Sequence, residues 1–115
     1  MMRFLTFVLA VLSIAVPAAD LSGKWMINGD VVGNAVSLDC TFQQNGEGKL
    51  AGKCAVNGMD PSDIAGDVKE AEFKFSFTAG GYTLTYSGTV QGESVKGSIE
   101  VAGVSGTFSG TRVKQ

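Results

Sequence analysis

The chain has 115 residues, with nine basic and eleven acidic side chains, no histidine and a formal net charge of −2. Its lysines and arginines are scattered singly, which excludes the basic patch that binding to nucleic acid or to an anionic membrane requires. Without histidine the chain lacks the commonest general base and metal ligand. We therefore expect no enzymatic activity, no cofactor and no metal site.

The first residues have the pattern of a secretory signal peptide. A basic residue precedes an apolar run over 4–16, and small residues follow this run. The run is too short to span a bilayer comfortably, so a membrane anchor is the weaker alternative. We predict a signal peptide over 1–19, cleaved after Ala18 or Ala19, and one domain over 20–115. The mature protein is expected to be periplasmic or secreted.

The rest of the sequence alternates between apolar and polar residues, which is the period of β-strands, and shows no helical spacing. Glycine and asparagine divide this alternation into short segments, and Asn28-Gly29-Asp30 is predicted to be a turn. We predict eight strands, at 21–28, 35–44, 49–56, 63–68, 71–78, 82–90, 94–101 and 104–113.

Eight sequential strands joined by tight turns form a meander, which closes most naturally into an antiparallel up-and-down β-barrel. A two-sheet β-sandwich is the alternative, because strand count alone does not decide closure. The faces opposite the apolar residues carry serine, threonine, lysine and glutamate, as along 83–89 and 105–111. Outer-membrane barrels have the reverse arrangement, so we expect an apolar interior and no membrane insertion.

A short motif, an apolar residue followed by x-Gly-x and a second apolar residue, recurs along the chain. Its glycine shares the strand face of the apolar residues, where it leaves room for curvature or for a large neighbouring side chain. The motif glycines are Gly23, Gly52, Gly66, Gly88, Gly97 and Gly106. Their repetition predicts a sheet that curls onto itself.

The two cysteines, Cys40 and Cys54, are predicted to form a disulfide. Export would place the protein in an oxidising compartment, where disulfides persist. A three-residue hairpin loop over 46–48 would pair Asn45 with Lys49 and place the cysteines directly opposite each other, close enough for a cross-strand bond. The same register pairs Leu38 with Val56 and Phe42 with Gly52 on the buried face.

Gly23 and Trp25 lie at the start of the first predicted strand, and Arg112 lies near the end of the last. These strands are neighbours in a closed meander, so Arg112 could stack on the indole of Trp25. This combination resembles the calycin superfamily, which includes lipocalins, fatty-acid-binding proteins and avidins. The resemblance implies that Gly23, Trp25 and Arg112 close the barrel. Avidins surround biotin with several tryptophans and this chain has one, so no biotin site is expected.

A second resemblance is to small secreted inhibitors of bacterial metalloproteases, which are disulfide-linked calycin barrels. It rests on Leu-Ser-Gly-Lys-Trp at 21–25 and on Lys-Leu-Ala-Gly-Lys-Cys at 49–54. Those inhibitors insert an N-terminal trunk into the protease cleft, whereas the predicted mature chain begins almost at Leu21.

The predicted inward faces carry many aromatic side chains. One interpretation is that they line a cavity for a small hydrophobic ligand, with the Tyr82 and Tyr86 hydroxyls orienting it. The other is that the rings fill the barrel, which we favour for strands this short. The candidate lining residues are Phe42, Phe73, Phe75, Phe77, Tyr82, Tyr86 and Phe108.

These patterns predict a non-catalytic exported binding protein that holds a small apolar ligand inside a calycin-like barrel. The alternative is a protein-interaction or inhibitor module that acts on an exported protein through its rim loops.

Overall fold

A computed structural model describes residues 19–114, and the predicted signal peptide lies outside the described residues except for Ala19. The described residues form eight strands and no helix, so this part of the chain contains no helix that could cross a bilayer. The strands are β1 Gly23–Val31, β2 Asn34–Gln44, β3 Lys49–Val56, β4 Ser62–Lys69, β5 Glu72–Ala79, β6 Tyr82–Gln91, β7 Ser94–Val101 and β8 Val104–Arg112.

The sheet is a closed barrel. Each strand pairs antiparallel with the next, and β1 also pairs with β8. The closing ladder runs from Trp25 opposite Arg112 to Val31 opposite Gly106. This confirms the predicted eight-stranded up-and-down meander, and it excludes the β-sandwich because no strand is left as an open edge.

The prediction was wrong at the end of β1. Asn28-Gly29-Asp30 is not a turn, because the strand continues through it and the chain turns at Val32 and Gly33. Both turn residues have positive φ, 51° and 81°, as a two-residue hairpin of this hand requires. Gly29 serves packing instead, since a Cβ there would meet the Phe108 side chain. A glycine that resembles a turn signal therefore lies inside a strand.

The β2–β3 hairpin has the predicted register. The Asn45 N–H donates to the Lys49 carbonyl at 3.0 Å, and the Gly48 N–H donates to the Asn45 carbonyl at 3.1 Å. Cys40 lies opposite Cys54, and the two form a disulfide. The predicted bond is therefore confirmed, and it joins neighbouring strands within the buried core.

The inward faces of the strands form one hydrophobic core, and no charged side chain is buried within residues 19–114. The motif glycines allow the sheet to curve around this core. A Cβ at Gly66 would overlap the Lys74 carbonyl oxygen of β5, and one at Gly97 would overlap the Ser87 carbonyl oxygen of β6. Gly88 and Gly97 also face each other across β6 and β7. Larger residues at these positions would force neighbouring strands apart.

Candidate functional site

The two ends of the barrel carry different connections. One end, which we name the closed end, carries the β2–β3, β4–β5 and β6–β7 turns and the first and last of the described residues, 19 and 114. The β1–β2, β3–β4, β5–β6 and β7–β8 turns lie at the opposite end, which we name the mouth end.

Residues 19–22 cross the closed end and seal it. The Leu21 side chain is 1 % exposed and belongs to the core. The Leu21 N–H donates to Gln44 Oε1 at 2.8 Å, and Gln44 Nε2 donates to the Ala19 carbonyl at 2.8 Å. Trp25 Nε1 donates to the Leu21 carbonyl at 2.9 Å. These contacts hold the segment across this end of the barrel.

Arg112 attaches this segment to the last strand. Its Cζ lies 4.5 Å from the centroid of the Trp25 ring. Nη1 donates to the Ser22 carbonyl at 2.6 Å, and Nη2 donates to the Asp20 carbonyl at 2.8 Å. A Cβ on Gly23 would lie 3.4 Å from Nη1, so the glycine leaves room for the guanidinium. The structure thus brings Gly23, Trp25 and Arg112 together, in contacts that hold the fold.

Two ionisable groups near the closed end have shifted pKa values. The Asp20 carboxylate accepts a hydrogen bond from the Ser22 N–H at 2.9 Å, which lowers the pKa of Asp20. Lys49 Nζ donates to Asp67 Oδ1 at 2.8 Å, which raises the pKa of Lys49. Hydrogen bonding favours the charged form of each group, so both are ionised at neutral pH.

Most of the predicted lining residues lie in the core, packed against one another. The Tyr86 ring stacks on Phe75 with centroids 5.1 Å apart, and Phe108 also lies 5.1 Å from Tyr86. Phe42 meets Phe75 edge-on at 5.1 Å. The buried members of the set are Phe42, Phe73, Phe75, Phe77, Tyr86 and Phe108. Tyr82 lies apart from them, at the mouth end, and is 58 % exposed.

The Tyr86 hydroxyl is an exception within this apolar interior. Tyr86 is fully buried, and its hydroxyl forms no hydrogen bond with any group of the described residues. Burial raises the pKa of the Tyr86 phenol, because an apolar surrounding disfavours the phenolate. The phenol therefore stays neutral at physiological pH, and among residues 19–114 it has no hydrogen-bond partner.

The mouth end contains an apolar cavity of about 650 Å³. Residues from all four turns of this end, or from the strand ends beside them, converge on it. Its lining, which we name the mouth, consists of Val31, Val32, Asn34, Val36, Val56, Met59, Ala79, Gly80, Tyr82, Leu84, Val101, Ala102 and Val104. The mouth contains no carboxylate, amine or thiol, and its polar side chains are one amide and one phenol. Such a lining suits the binding of an apolar molecule.

Exposed hydrophobic side chains concentrate at the mouth. Among the described residues five large hydrophobic side chains are exposed, and four of them belong to the mouth. Val32 is 72 % exposed, Tyr82 58 %, Met59 50 % and Val104 38 %. The fifth, Met26, lies on the outer wall of β1. An apolar surface gathered at one end of a small domain is typical of a binding site.

Val32 has a strained backbone conformation, although its side chain is the most exposed of the four. Val32 is β-branched and has a φ of 51°, a backbone region that such residues avoid at a cost of about 1–3 kcal/mol. Asparagine or glycine would suit the position without this strain. The mouth therefore retains an exposed apolar side chain at a position where stability favours a polar one.

Sequence reasoning missed most of the mouth because it treated the turns one at a time. In a meander, alternate turns lie at the same end of the barrel. When the turns are grouped by end, those of the mouth end contain Val32, Met59, Ala102 and the adjoining Val104. The turns of the closed end contain mainly glycine, asparagine and glutamate. Only Tyr82 of the mouth residues is among the predicted lining residues.

No metal centre accompanies this site: residues 19–114 contain no group of three or more histidine, cysteine, aspartate or glutamate side chains placed to hold a metal ion.

The fold is shared with small β-barrels of known structure. A redesigned β-barrel, b11L5F_LGL, is 12 % identical with a TM-score of 0.62, over 83 % of this chain and 92 % of that one. Another redesigned barrel, mFAP1 bound to DFHBI, is 14 % identical with a TM-score of 0.61, over 81 % and 94 %. Fatty-acid-binding protein 1 of Echinococcus granulosus is 12 % identical with a TM-score of 0.53, over 82 % and 98 %.

At these identities the likeness concerns the fold alone, and it is consistent with the calycin-like resemblance of the sequence. No family model matches the chain, and no curated protein sequence matches it.

Proposed function

We propose that the protein is a non-catalytic binding protein that takes a small apolar ligand in the mouth. The observation that carries this proposal is the convergence of four exposed hydrophobic side chains on one cavity of about 650 Å³. That volume lies within the range of small-molecule sites, about 300–1,000 Å³. The absence of histidine from the sequence and the apolar lining of the cavity both speak for binding rather than catalysis.

The ligand is proposed to sit at the mouth and not in the middle of the barrel. Stacked rings such as Phe75 and Tyr86 occupy the interior, and the segment around Leu21 seals the opposite end. Entry would therefore be from the mouth end, and part of the ligand would stay in contact with water. The structural neighbours include a fatty-acid-binding protein and a barrel bound to DFHBI, which shows that other barrels of this fold carry small ligands.

We also propose that the protein works outside the cytosol. The sequence begins with a signal-peptide pattern, and the Cys40–Cys54 bond suits an oxidising compartment.

A second candidate function is contact with another protein through the rim. Val32, at 72 % exposed, presents most of its side chain to solvent, as a residue that contacts a partner surface would. This candidate predicts that rim substitutions abolish capture of an exported partner without altering the binding of small apolar probes.

Titration with the neutral dye Nile red tests the first proposal. We expect its fluorescence to rise on binding to the wild-type protein. Tyr82→Ser and Val104→Ser each remove exposed apolar area worth about 1–2 kcal/mol, so each should weaken binding by about five- to thirtyfold.

Met26→Ser is the matched control, because Met26 is 43 % exposed but lies outside the mouth. It should bind Nile red as the wild type does, and thermal unfolding should show that all variants are folded. Equal binding by every variant, or no binding by the wild type, would contradict the proposal.

A further inference from the structure

The charged side chains of the barrel are distributed unevenly along its axis, with the cations toward the closed end. Every cation of residues 19–114 except Lys53 lies toward the closed end, by its position in its strand or terminus. Lys53 is already engaged, with its Nζ 2.6 Å from Asp63 Oδ1. On β5 and β7 the nearest cations to the mouth are Lys74 and Lys96, ~16 Å from the strand ends at the usual rise per residue. Within the part of the chain that the structure describes, no unpaired cation is therefore close to the mouth.

Carboxylates, in contrast, adjoin the mouth. Asp30 precedes the β1–β2 turn, and its Oδ1 accepts a hydrogen bond from the Gly33 N–H of that turn at 2.8 Å. Asp60 follows Met59, and Glu100 precedes Val101. All three side chains belong to exposed residues, and within residues 19–114 none forms an ion pair. None of the three belongs to the mouth lining, and Asp30 and Glu100 lie on the outward faces of β1 and β7, next to the mouth end of each strand. The rim around the apolar cavity therefore carries unpaired negative charge on its outer side.

We infer that the mouth selects a cationic amphiphile, an apolar chain that carries a protonated amine at its water-exposed end. This rests on the proposed function and adds the charge of the ligand to it. The chain would occupy the lining, and the amine would stay at the surface beside Asp30, Asp60 and Glu100. A fatty-acid anion would place its carboxylate near the same three acidic side chains, where residues 19–114 offer no unpaired cation to receive it.

The size of the preference for a cationic head group can be estimated from the Coulomb interaction between exposed charges in water. A carboxylate about 8 Å from the head group changes affinity by about twofold at low ionic strength, and three acting together change it by about tenfold. Salt screens charges at this separation, since the Debye length is about 10 Å at 0.1 M and about 3 Å at 1 M. The preference should therefore fade at high salt, whereas binding of the apolar chain should persist.

Displacement of Nile red by decylamine, decanol and decanoate at neutral pH tests the inference. We expect decylamine to bind most tightly, decanol next and decanoate least, with about tenfold between each successive pair and so about a hundredfold between amine and acid at low salt. Raising the ionic strength to about 0.5 M should reduce that ratio to about twofold. Decanoate binding as tightly as decylamine would overturn the inference.

The triple variant Asp30→Asn, Asp60→Asn, Glu100→Gln should bring the amine and the acid to within about twofold, while decanol binding stays unchanged. Asparagine at position 30 keeps an oxygen that can accept the Gly33 N–H. An undiminished preference in this variant would also overturn the inference.

The control is a triple variant with the same change in net charge at the closed end, Glu47→Gln, Glu70→Gln, Glu72→Gln, which should keep the wild-type preference. If it loses the preference to the same extent, net charge and not the mouth is responsible, and the inference fails.

The two failures are distinguishable. If decanol binds without any preference for the amine, only the charge selection is wrong. If none of the three compounds displaces the dye, the proposed function fails, and the inference fails with it.

Discussion

The unpartnered hydroxyl of Tyr86 predicts that a smaller side chain would make the protein more stable. A buried polar group without a hydrogen bond costs about 1–3 kcal/mol, and Tyr86→Phe removes that group while keeping the ring that stacks on Phe75. The small void left by the missing oxygen destabilises the protein by about 0.3 kcal/mol, which offsets part of that gain. We expect the free energy of unfolding to rise by about 1–2 kcal/mol, and the melting temperature to rise by about 4–16 °C for a domain of this size.

The same residue predicts a dependence on alkaline pH. Burial raises the pKa of Tyr86 in the folded protein, whereas in the unfolded chain the phenol titrates near its ordinary value of about 10. Above that pH the unfolded state loses the proton first, so the free energy of unfolding falls by up to about 1.4 kcal/mol per pH unit. Tyr86→Phe should remove this contribution.

Urea unfolding followed by circular dichroism, at neutral pH and again at about pH 11, measures both effects. Tyr82→Phe is the matched control, since Tyr82 is 58 % exposed, and it should keep both the wild-type stability and the wild-type alkaline loss. If Tyr86→Phe proves less stable than the wild type, the hydroxyl is hydrogen-bonded in solution and the reasoning is refuted.

Three further results are expected. Replacing Cys40 and Cys54 together with serine should lower the free energy of unfolding by about 3 kcal/mol, and an unchanged urea midpoint would contradict this. Gly66→Ala should destabilise by about 2 kcal/mol or more because its Cβ would overlap the carbonyl oxygen of the next strand, whereas Gly46→Ala meets nothing within 4 Å and should be neutral in the same assay. Val32→Asn should stabilise the barrel by about 1 kcal/mol in thermal melts and weaken Nile red binding, and a gain in both would argue against the mouth.

The strands and their register were largely predictable because the signals that set them are local. Phe73, Phe75 and Phe77 alternate with polar residues, and this period can be read without knowledge of any other strand. The loop between Asn45 and Lys49 has the length and residues that fix a hairpin register, so the pairing of β2 with β3 followed directly.

The end of β1 was not predictable in the same way. Asn28-Gly29-Asp30 has strong turn residues, but these positions pair with both neighbouring strands, opposite 35–37 on β2 and 107–109 on β8. Extending the strand satisfies hydrogen bonds on both of its edges, and Gly29 makes room for Phe108. Tertiary pairing thus outweighed a local turn preference that the sequence displays clearly.

The mouth was missed for a different reason. The aromatic residues were conspicuous in the sequence. Their number indicates how much side-chain volume is available to fill a core, but it does not show whether a cavity remains. Val32, Met59 and Val104 come from three connections that are distant in sequence and are adjacent only after closure. Whether a cavity remains depends on how these turns converge, which no single window of sequence contains.

The pairing of β1 with β8 has a consequence for biosynthesis. The contact between Arg112 and Ser22 spans 90 positions, so a ribosome must synthesise all eight strands before the barrel can close. Until then the first strand exposes a free edge that other nascent chains could join. A premature stop codon that removed only the last strand would therefore abolish the native state instead of trimming it.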